Sequence, residues 1–309
     1  MKSPLRILAA VDFSQPARHA FAYALALGRQ RGAALTVVHA VPANEPSRRH
    51  ARARVGLIAQ LRREAETAAV PFEVSVQQGD PAEVILLHAR SRRPDLLVIG
   101  THRRTGFERL KTASIAERVA LRATQPLLIV PALADPSGGD FTHIAVATGL
   151  TGASTRAIEQ ALTLVDAGPS RLTLVHVVPG ASKGEQGSGE GGALRLLYPY
   201  GAVEYQNGLV NDAWQRLQDA VPRTPDPTAR IHGRVVTGDP ATEIERVASE
   251  VGADLIVAGV SRRGVLAQKV FGTTVGRIVR IAERPVLVVP TSTNRAQLPR
   301  DFAQHRRAA

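Results

Sequence analysis

The chain repeats itself, and this constrains its fold more than any other feature. LTVVHAVP at 35–42 recurs as LTLVHVVP at 172–179. GDPAEVI at 79–85 recurs as GDPATEI at 238–244, PDLLVIGTHRR at 94–104 as ADLIVAGVSRR at 253–263, and TQPLLIVP at 124–131 as ERPVLVVP at 283–290. The first pair is separated by 137 residues and the other three by 159, so the second copy holds 22 extra residues ahead of its GDP turn. A unit that occurs twice must fold twice. The expected organisation is a first domain over 1–135, a linker at 136–140, a second domain over 141–291 with an insertion at 180–207, and a basic tail at 292–309.

Each copy alternates strand and helix signals. RILAAV, ALTVVHAV, FEVSVQQ, DLLVIG and PLLIV are short apolar runs of the kind that become buried parallel strands. PARHAFAYALALGRQRG has apolar residues at helical spacing and Gly32 to close it. Asp80-Pro81-Ala82-Glu83 has the form of a capping box, and Asp239-Pro240 repeats the cap and its proline. Five strands with crossover helices predict two tandem doubly wound α/β domains, each a five-stranded parallel sheet. Ligands on such sheets sit beyond the carboxyl ends of the strands, where the strand order reverses.

Composition narrows the function. Hydrophobic residues make up 44% of the chain, ample for two cores, and with no cysteine there are no disulfides or thiolate metal sites. The apolar run after Lys2 stops at Asp12, too short for a signal-peptide core, and no run reaches the ~18 residues of a membrane span. A cytoplasmic protein with no membrane partner is expected. The formal charge is +12, and all but four of the 39 basic residues are arginines. They are spread over both copies without an RNP-like or zinc-finger pattern, and they read as solvated faces rather than a nucleic-acid surface.

Val11-Asp12-Phe13-Ser14, TVVHAV, the GDP turn and IGTHRRTGFERLKTASIAERV together resemble the universal stress protein family, here as a tandem pair. The last stretch has the form of the family signature: G-x-x-G, nine residues, then G-[ST]. The resemblance implies a Rossmann-like fold of strand order 3-2-1-4-5 whose last strand pairs antiparallel with its copy in a dimer partner; here LLIV at 127–130 and VLVV at 286–289 are expected to pair within one chain and cover two exposed edges at once. It also implies, in some members, a site for ATP or ADP, with magnesium only where nucleotide is bound. In that site the aspartate after strand one, with Val11 before it, lies at the nucleotide, and the backbone at the end of strand two (Ala40, Val177) holds the adenine. The signature glycines bring main-chain N–H groups to the phosphates, and the Ser or Thr at the helix start adds a hydroxyl.

Neither copy carries the full set. The first keeps Asp12, Gly100 and Ser114, but has Arg103 and Ala113 at two glycine positions. The second keeps Gly259, Gly272 and Thr273, followed by Thr274, but has Arg262 at a glycine position, and Thr148-Gly149 match Val11-Asp12. Two readings of Arg103 and Arg262 stay open: a guanidinium that fills a disused pocket, or one that replaces glycine N–H groups over the phosphates. The second half is the better candidate, because Gly272-Thr273 is intact. His39 and His176 end the second strands and read as structural. Ser14 and its counterpart Thr151 read as helix N-caps.

The insertion region LRLLYPYGAVEYQNGLVNDAW at 194–214 holds Tyr198, Tyr200, Tyr205 and Trp214, four of twelve aromatics. It reads as a cover over the sheet or as a lid, with residues 182–192 as its mobile lead-in. The functional expectation is a non-enzymatic stress-response protein that binds adenine nucleotide or another small ligand and acts through a protein partner. The chain would be an internal pseudo-dimer that can associate further as a homodimer. Two alternatives stay open: an ATP-binding protein with slow ATPase or autophosphorylation activity, and a basic protein associated with nucleic acid.

Overall fold

The computed structural model describes residues 5–42, 48–101, 114–135, 141–164, 171–179, 199–220, 230–260 and 273–291. The linker at 136–140, the lead-in at 182–192, the tail at 292–309 and the signature positions Arg103, Ala113, Arg262 and Gly272 lie outside them.

In the first half, strands β1 (Arg6–Ala10), β2 (Ala34–Val41), β3 (Phe72–Gln78), β4 (Leu96–Thr101) and β5 (Leu127–Pro131) alternate with helices α1 (Gln15–Arg31), α2 (Arg48–Thr67), α3 (Pro81–Arg92) and α4 (Ile115–Arg122). The second half repeats the series with β6 (His143–Ala147), α5 (Gly152–Leu164), β7 (Arg171–Pro179), α6 (Pro199–Ala220), β8 (Arg230–Gly238), α7 (Pro240–Glu250), β9 (Leu255–Val260), α8 (Thr273–Ile281) and β10 (Val286–Pro290). One ten-stranded sheet runs β3-β2-β1-β4-β5-β10-β9-β6-β7-β8, so each half has the order 3-2-1-4-5. Every pairing is parallel except the central one, where β5 and β10 meet antiparallel as expected.

Alternation along the strands sorts the core into two layers, each continuous across both halves. Ile7, Ala9, Leu128, Ile144 and Leu287 face α1, α2, α5 and α6. Leu8, Leu127, Ile129, Val286 and Val288 face α3, α4, α7 and α8. Local signals set the helix ends. Ser14 Oγ accepts the Ala17 N–H at the start of α1, and Gly32 closes that helix in the left-handed conformation at φ 61°. Gly79 and Gly238 have φ 148° and 149°, a backbone state open to glycine, which accounts for the glycine of both GDP turns.

Three local expectations need correction. Asp80 caps α3, but Glu83 does not return to the Asp80 N–H; it pairs with Arg122 of α4, where a guanidinium outcompetes one backbone donor. Thr151 does not repeat the Ser14 cap. Ser154 Oγ instead accepts the Gly149 N–H at 2.9 Å and approaches the Thr151 N–H at 3.4 Å. The aromatic stretch is not a separate cover ahead of a helix, because from Pro199 onward it is the start of α6, the crossover helix between β7 and β8. Trp214 and Leu217 lie over Gly233 of β8, where an added Cβ would meet them at 3.3 and 3.0 Å. No helix among the described residues is long and apolar enough to cross a membrane.

Candidate functional site

In each half the strand order reverses beside the first strand. The loop leaving β1 (Val11 to Ser14), the end of β2 (Ala40), the end of β4 (Gly100) and the start of α4 (Ser114) are the matched elements of the first half. Their counterparts are Thr148 to Thr151, Val177, Gly259 and the start of α8 (Thr273, Thr274).

The histidines that end β2 and β7 do the same work in both halves. His39 is buried, and its Nδ1–H donates to the Val11 carbonyl at 2.9 Å; His176 Nδ1–H donates to the Thr148 carbonyl at 2.8 Å. A carbonyl only accepts, so Nδ1 carries the proton in each. The imidazoles therefore hold the loop that follows the first strand. Phe13, half exposed, stands edge-on to His39 with ring centroids 5.5 Å apart.

The loop itself is closed differently in the two halves. Asp12 is exposed, and its Oδ1 accepts the Ser14 N–H at 2.7 Å, an Asx turn. In the second half Gly149 has no side chain for this. The buried Thr148 supplies the bond from one position earlier, its Oγ1 accepting the Leu150 N–H at 3.1 Å, and Leu150 adopts φ 54°. The lost aspartate is thus replaced as a turn former but not as a charge.

Gly100 and Gly259 have a packing reason to be glycine. A Cβ at Gly100 would lie 2.3 Å from the Pro16 carbonyl, and one at Gly259 would lie 2.2 Å from the Ala153 carbonyl. The first turns of α1 and α5 press directly on the ends of β4 and β9.

The helix starts diverge most. Ser114 caps α4 in a full capping box: its Oγ accepts the Glu117 N–H at 3.1 Å, and its own N–H donates to Glu117 Oε2 at 2.7 Å. A carboxylate therefore already sits at this helix start. The Ser114 hydroxyl proton is still available to an anion, but any phosphate there would face Glu117. The matching residue on α8 is Gly276, and its first turn carries no acid. The donor set of the second half, a helix start free of carboxylate with Thr273 and Thr274 in its first turn, fits a phosphate better.

Behind each site runs a brace that the pattern of the sequence did not disclose. Arg118 of α4 grips the α3 cap Asp80 with two bonds of 2.7 and 2.9 Å, and Arg277 of α8 grips Asp239 in the same way. The Arg118 hydrogen bond holds the Asp80 carboxyl below the ordinary carboxylate range. Burial opposes the same shift at Asp239, but bonds from Thr242 and Arg277 overcome it. Arg122–Glu83, Arg284–Glu245 and Arg92–Glu73 are further pairs. Many of the arginines behind the high positive charge are thus committed to carboxylates. Among the described residues no group of three or more His, Cys, Asp or Glu is placed to hold a metal ion.

Comparison with known proteins agrees with this architecture. The model of the universal stress protein family matches residues 5–131 and again 140–290. A universal stress protein of Methanocaldococcus jannaschii is 37% identical over 71 residues, 23% of this chain and 42% of that relative, so the chain spans under half of its length. Universal stress protein G of Shigella flexneri is 30% identical over 120 residues, 38% of this chain and 76% of the relative. A crystal structure of a universal stress protein from Archaeoglobus fulgidus superimposes with TM-score 0.65 at 18% identity, covering 93% of this chain and 97% of that one.

Proposed function

This chain belongs to the universal stress protein family, with two copies of the domain in one polypeptide, and from that premise we propose that it is a non-enzymatic binding protein whose second half takes an adenine nucleotide or another small anionic ligand. A protein partner would then read the occupied state. The observation that carries the location is the contrast between the two helix starts: Ser114 to Glu117 on α4, and Thr273 to Gly276 without an acid on α8. An anion at a helix start gains from the dipole and loses to a carboxylate beside it. The assignment of Thr148, Val177, Gly259 and Thr274 to the same site rests on their matched places around it. In the first half, Asp12, Ala40 and Gly100 frame the poorer site. Magnesium would arrive with the phosphates.

The non-catalytic part of the reading is supported by what the reactive side chains already do. His39 and His176 hold backbone carbonyls, and Ser14 and Ser114 cap helices. The test is calorimetric titration of ATP, ADP and AMP into the full chain, with a check for nucleotide retained on purification. One site per chain is expected, weakened by Gly276→Glu and retained in Ser114→Ala. No heat from any of the three, with none retained, refutes nucleotide binding. Loss in Ser114→Ala alone moves the site to the first half. Phosphate release that Thr273→Ala abolishes would replace binding with slow hydrolysis.

A further inference from the structure

The seam between the halves is symmetric in its backbone. Val286 lies opposite Ile129, Leu287 opposite Leu128, and Val288 opposite Leu127. In the repeat, Val286, Leu287 and Val288 are the counterparts of Leu127, Leu128 and Ile129. Two first halves, or two second halves, would therefore lay down the same ladder around a central Leu–Leu pair. The backbone does not choose the partner.

The side chains flanking the ladder are not symmetric. On one face, Arg280 of α8 donates through Nε to Glu117 Oε1 of α4 at 2.6 Å, and the Glu117 side chain is only 8% exposed. The two-fold counterparts are Leu121 for Arg280 and Gly276 for Glu117, so the pair exists once. On the other face, Arg31 at the end of α1 donates to the Thr163 and Leu164 carbonyls at 3.3 and 2.8 Å, closing the C-terminus of α5. The residue matching Arg31 is Gly168. Tyr23 of α1, buried, stacks on Phe141 with ring centroids 6.2 Å apart. Their counterparts are Gln160 and Pro4.

We propose that this seam is a heterospecific interface: a first half accepts a second half and rejects another copy of itself, and the occupant it is built for is the second half of the same chain. Two first halves would leave each buried Glu117 carboxylate facing Leu121, with one oxygen still on the Ser114 N–H and the other without its guanidinium. An uncompensated buried charge is among the costliest defects an interface can carry. Two second halves would set Arg280 against Gly276, lose the Arg31 closure of α5, and put Phe141 against Gln160. On α1 the carbonyls matching Thr163 and Leu164 are those of Ala26 and Leu27, inside a helix that runs on to Arg31; Glu117 and Tyr23 carry the rejection of two first halves. Symmetric edges with asymmetric surroundings favour one pairing by penalising the others. The proposal does not depend on any ligand.

The test uses the full chain with a protease site placed within 136–140. The folded chain is cut there, its two fragments are unfolded together in urea and refolded, and native mass spectrometry counts the pairs. Mixed pairs are expected to exceed like pairs of either kind by at least about a hundredfold. Like pairs at the share given by random association overturn the proposal, as does recovery of separate halves. A second measurement keeps the chain intact. Gly276→Glu with Arg280→Leu gives the second half the face of the first, and adding Glu117→Gly with Leu121→Arg turns the ion pair round. The double variant is expected to lower the urea midpoint and the quadruple variant to recover most of it. An unchanged midpoint in the double variant overturns the proposal.

Discussion

Replacing Gly100 by alanine separates two reasons for a signature glycine. If the residue is glycine so that a ligand can approach the backbone, alanine removes binding and leaves the fold alone. The structure gives the other reason. The new Cβ would lie 2.3 Å from both the carbonyl carbon and oxygen of Pro16 and 2.6 Å from the Ala17 nitrogen. Ordinary contacts start near 3.4 Å, and these neighbours are backbone atoms of a helix that buries Ala17, Ala20, Phe21 and Ala24. No rotamer relieves the clash, so α1 must retreat by roughly 1 Å from β4, which places the cost at the upper end of overpacking, about 3 kcal/mol. The entropy lost from the unfolded chain returns up to about 1 kcal/mol. The net loss of about 2 kcal/mol corresponds to about 4 °C in Tm for a chain of this size. Gly259→Ala should behave alike, since Ala153 presses on it as Pro16 presses on Gly100. Gly56→Ala is the control: an added Cβ there meets nothing within 4 Å inside α2, and it should hold or raise Tm. Thermal melts followed by circular dichroism read all three. A Gly100→Ala chain that melts with the wild type would refute the packing argument.

Asp80→Ala removes both a helix cap and the partner of Arg118, and should cost about 1–2 kcal/mol in urea unfolding. Asp80→Asn keeps an N-cap acceptor and should recover roughly half of that loss. His143 is buried against Thr173, and its pKa is lowered first by burial and then by Arg171; His88 is lowered in the same direction, by burial and then Arg92. In both, the unfolded chain takes up a proton before the folded one, so stability should fall as pH drops below about 6.5. His143→Gln should flatten that part of the pH profile, and an unchanged slope would count against the burial cause. Tyr23 runs the other way: burial first, then Asp135 and Asp254, raise its pKa to about 12. Its stabilising contribution is intact below the unfolded value near 10 and is lost as pH rises through 12. Alkaline melts of Tyr23→Phe should therefore lose less stability between those values than the wild type.

Much of the fold was legible because its signals are local or repeated. Buried apolar runs became the strands, Asp80 and Asp239 became caps, and Gly32 closed α1, each within a few residues of its cause. What stayed hidden depends on partners far along the chain. Glu83 reads as the returning arm of a capping box until Arg122, 39 residues later, is seen to take it. Arg118 and Arg277 look like solvent-facing helix residues until the next layer places Asp80 and Asp239 opposite them. The aromatic stretch around Tyr200 and Tyr205 suggested a lid because its glycines and its position after a Gly-rich segment masked the helix it begins. For the proposed ligand site, the matched positions could be named, but not that Thr148 would take over the turn from Asp12.

The places where the two copies disagree are concentrated where they have different work. The sheet, the Asp80 and Asp239 caps, the braces and both histidines are kept twice. The exchange of Glu117 for Gly276 has two consequences at once: it clears the carboxylate from the α8 helix start, and, together with Leu121 in the place matching Arg280, it leaves the seam with this ion pair once. One position thus bears on both the proposed ligand site and the direction of the seam. The two effects can be told apart, because Arg280 bonds across the seam to Glu117 and lies two turns from the α8 helix start. Arg280→Leu should weaken the association of the halves and leave ligand binding in the second half intact, whereas Gly276→Glu should impair both. If Arg280→Leu also abolished binding, the ligand would depend on the seam itself, and the two asymmetries would be a single one.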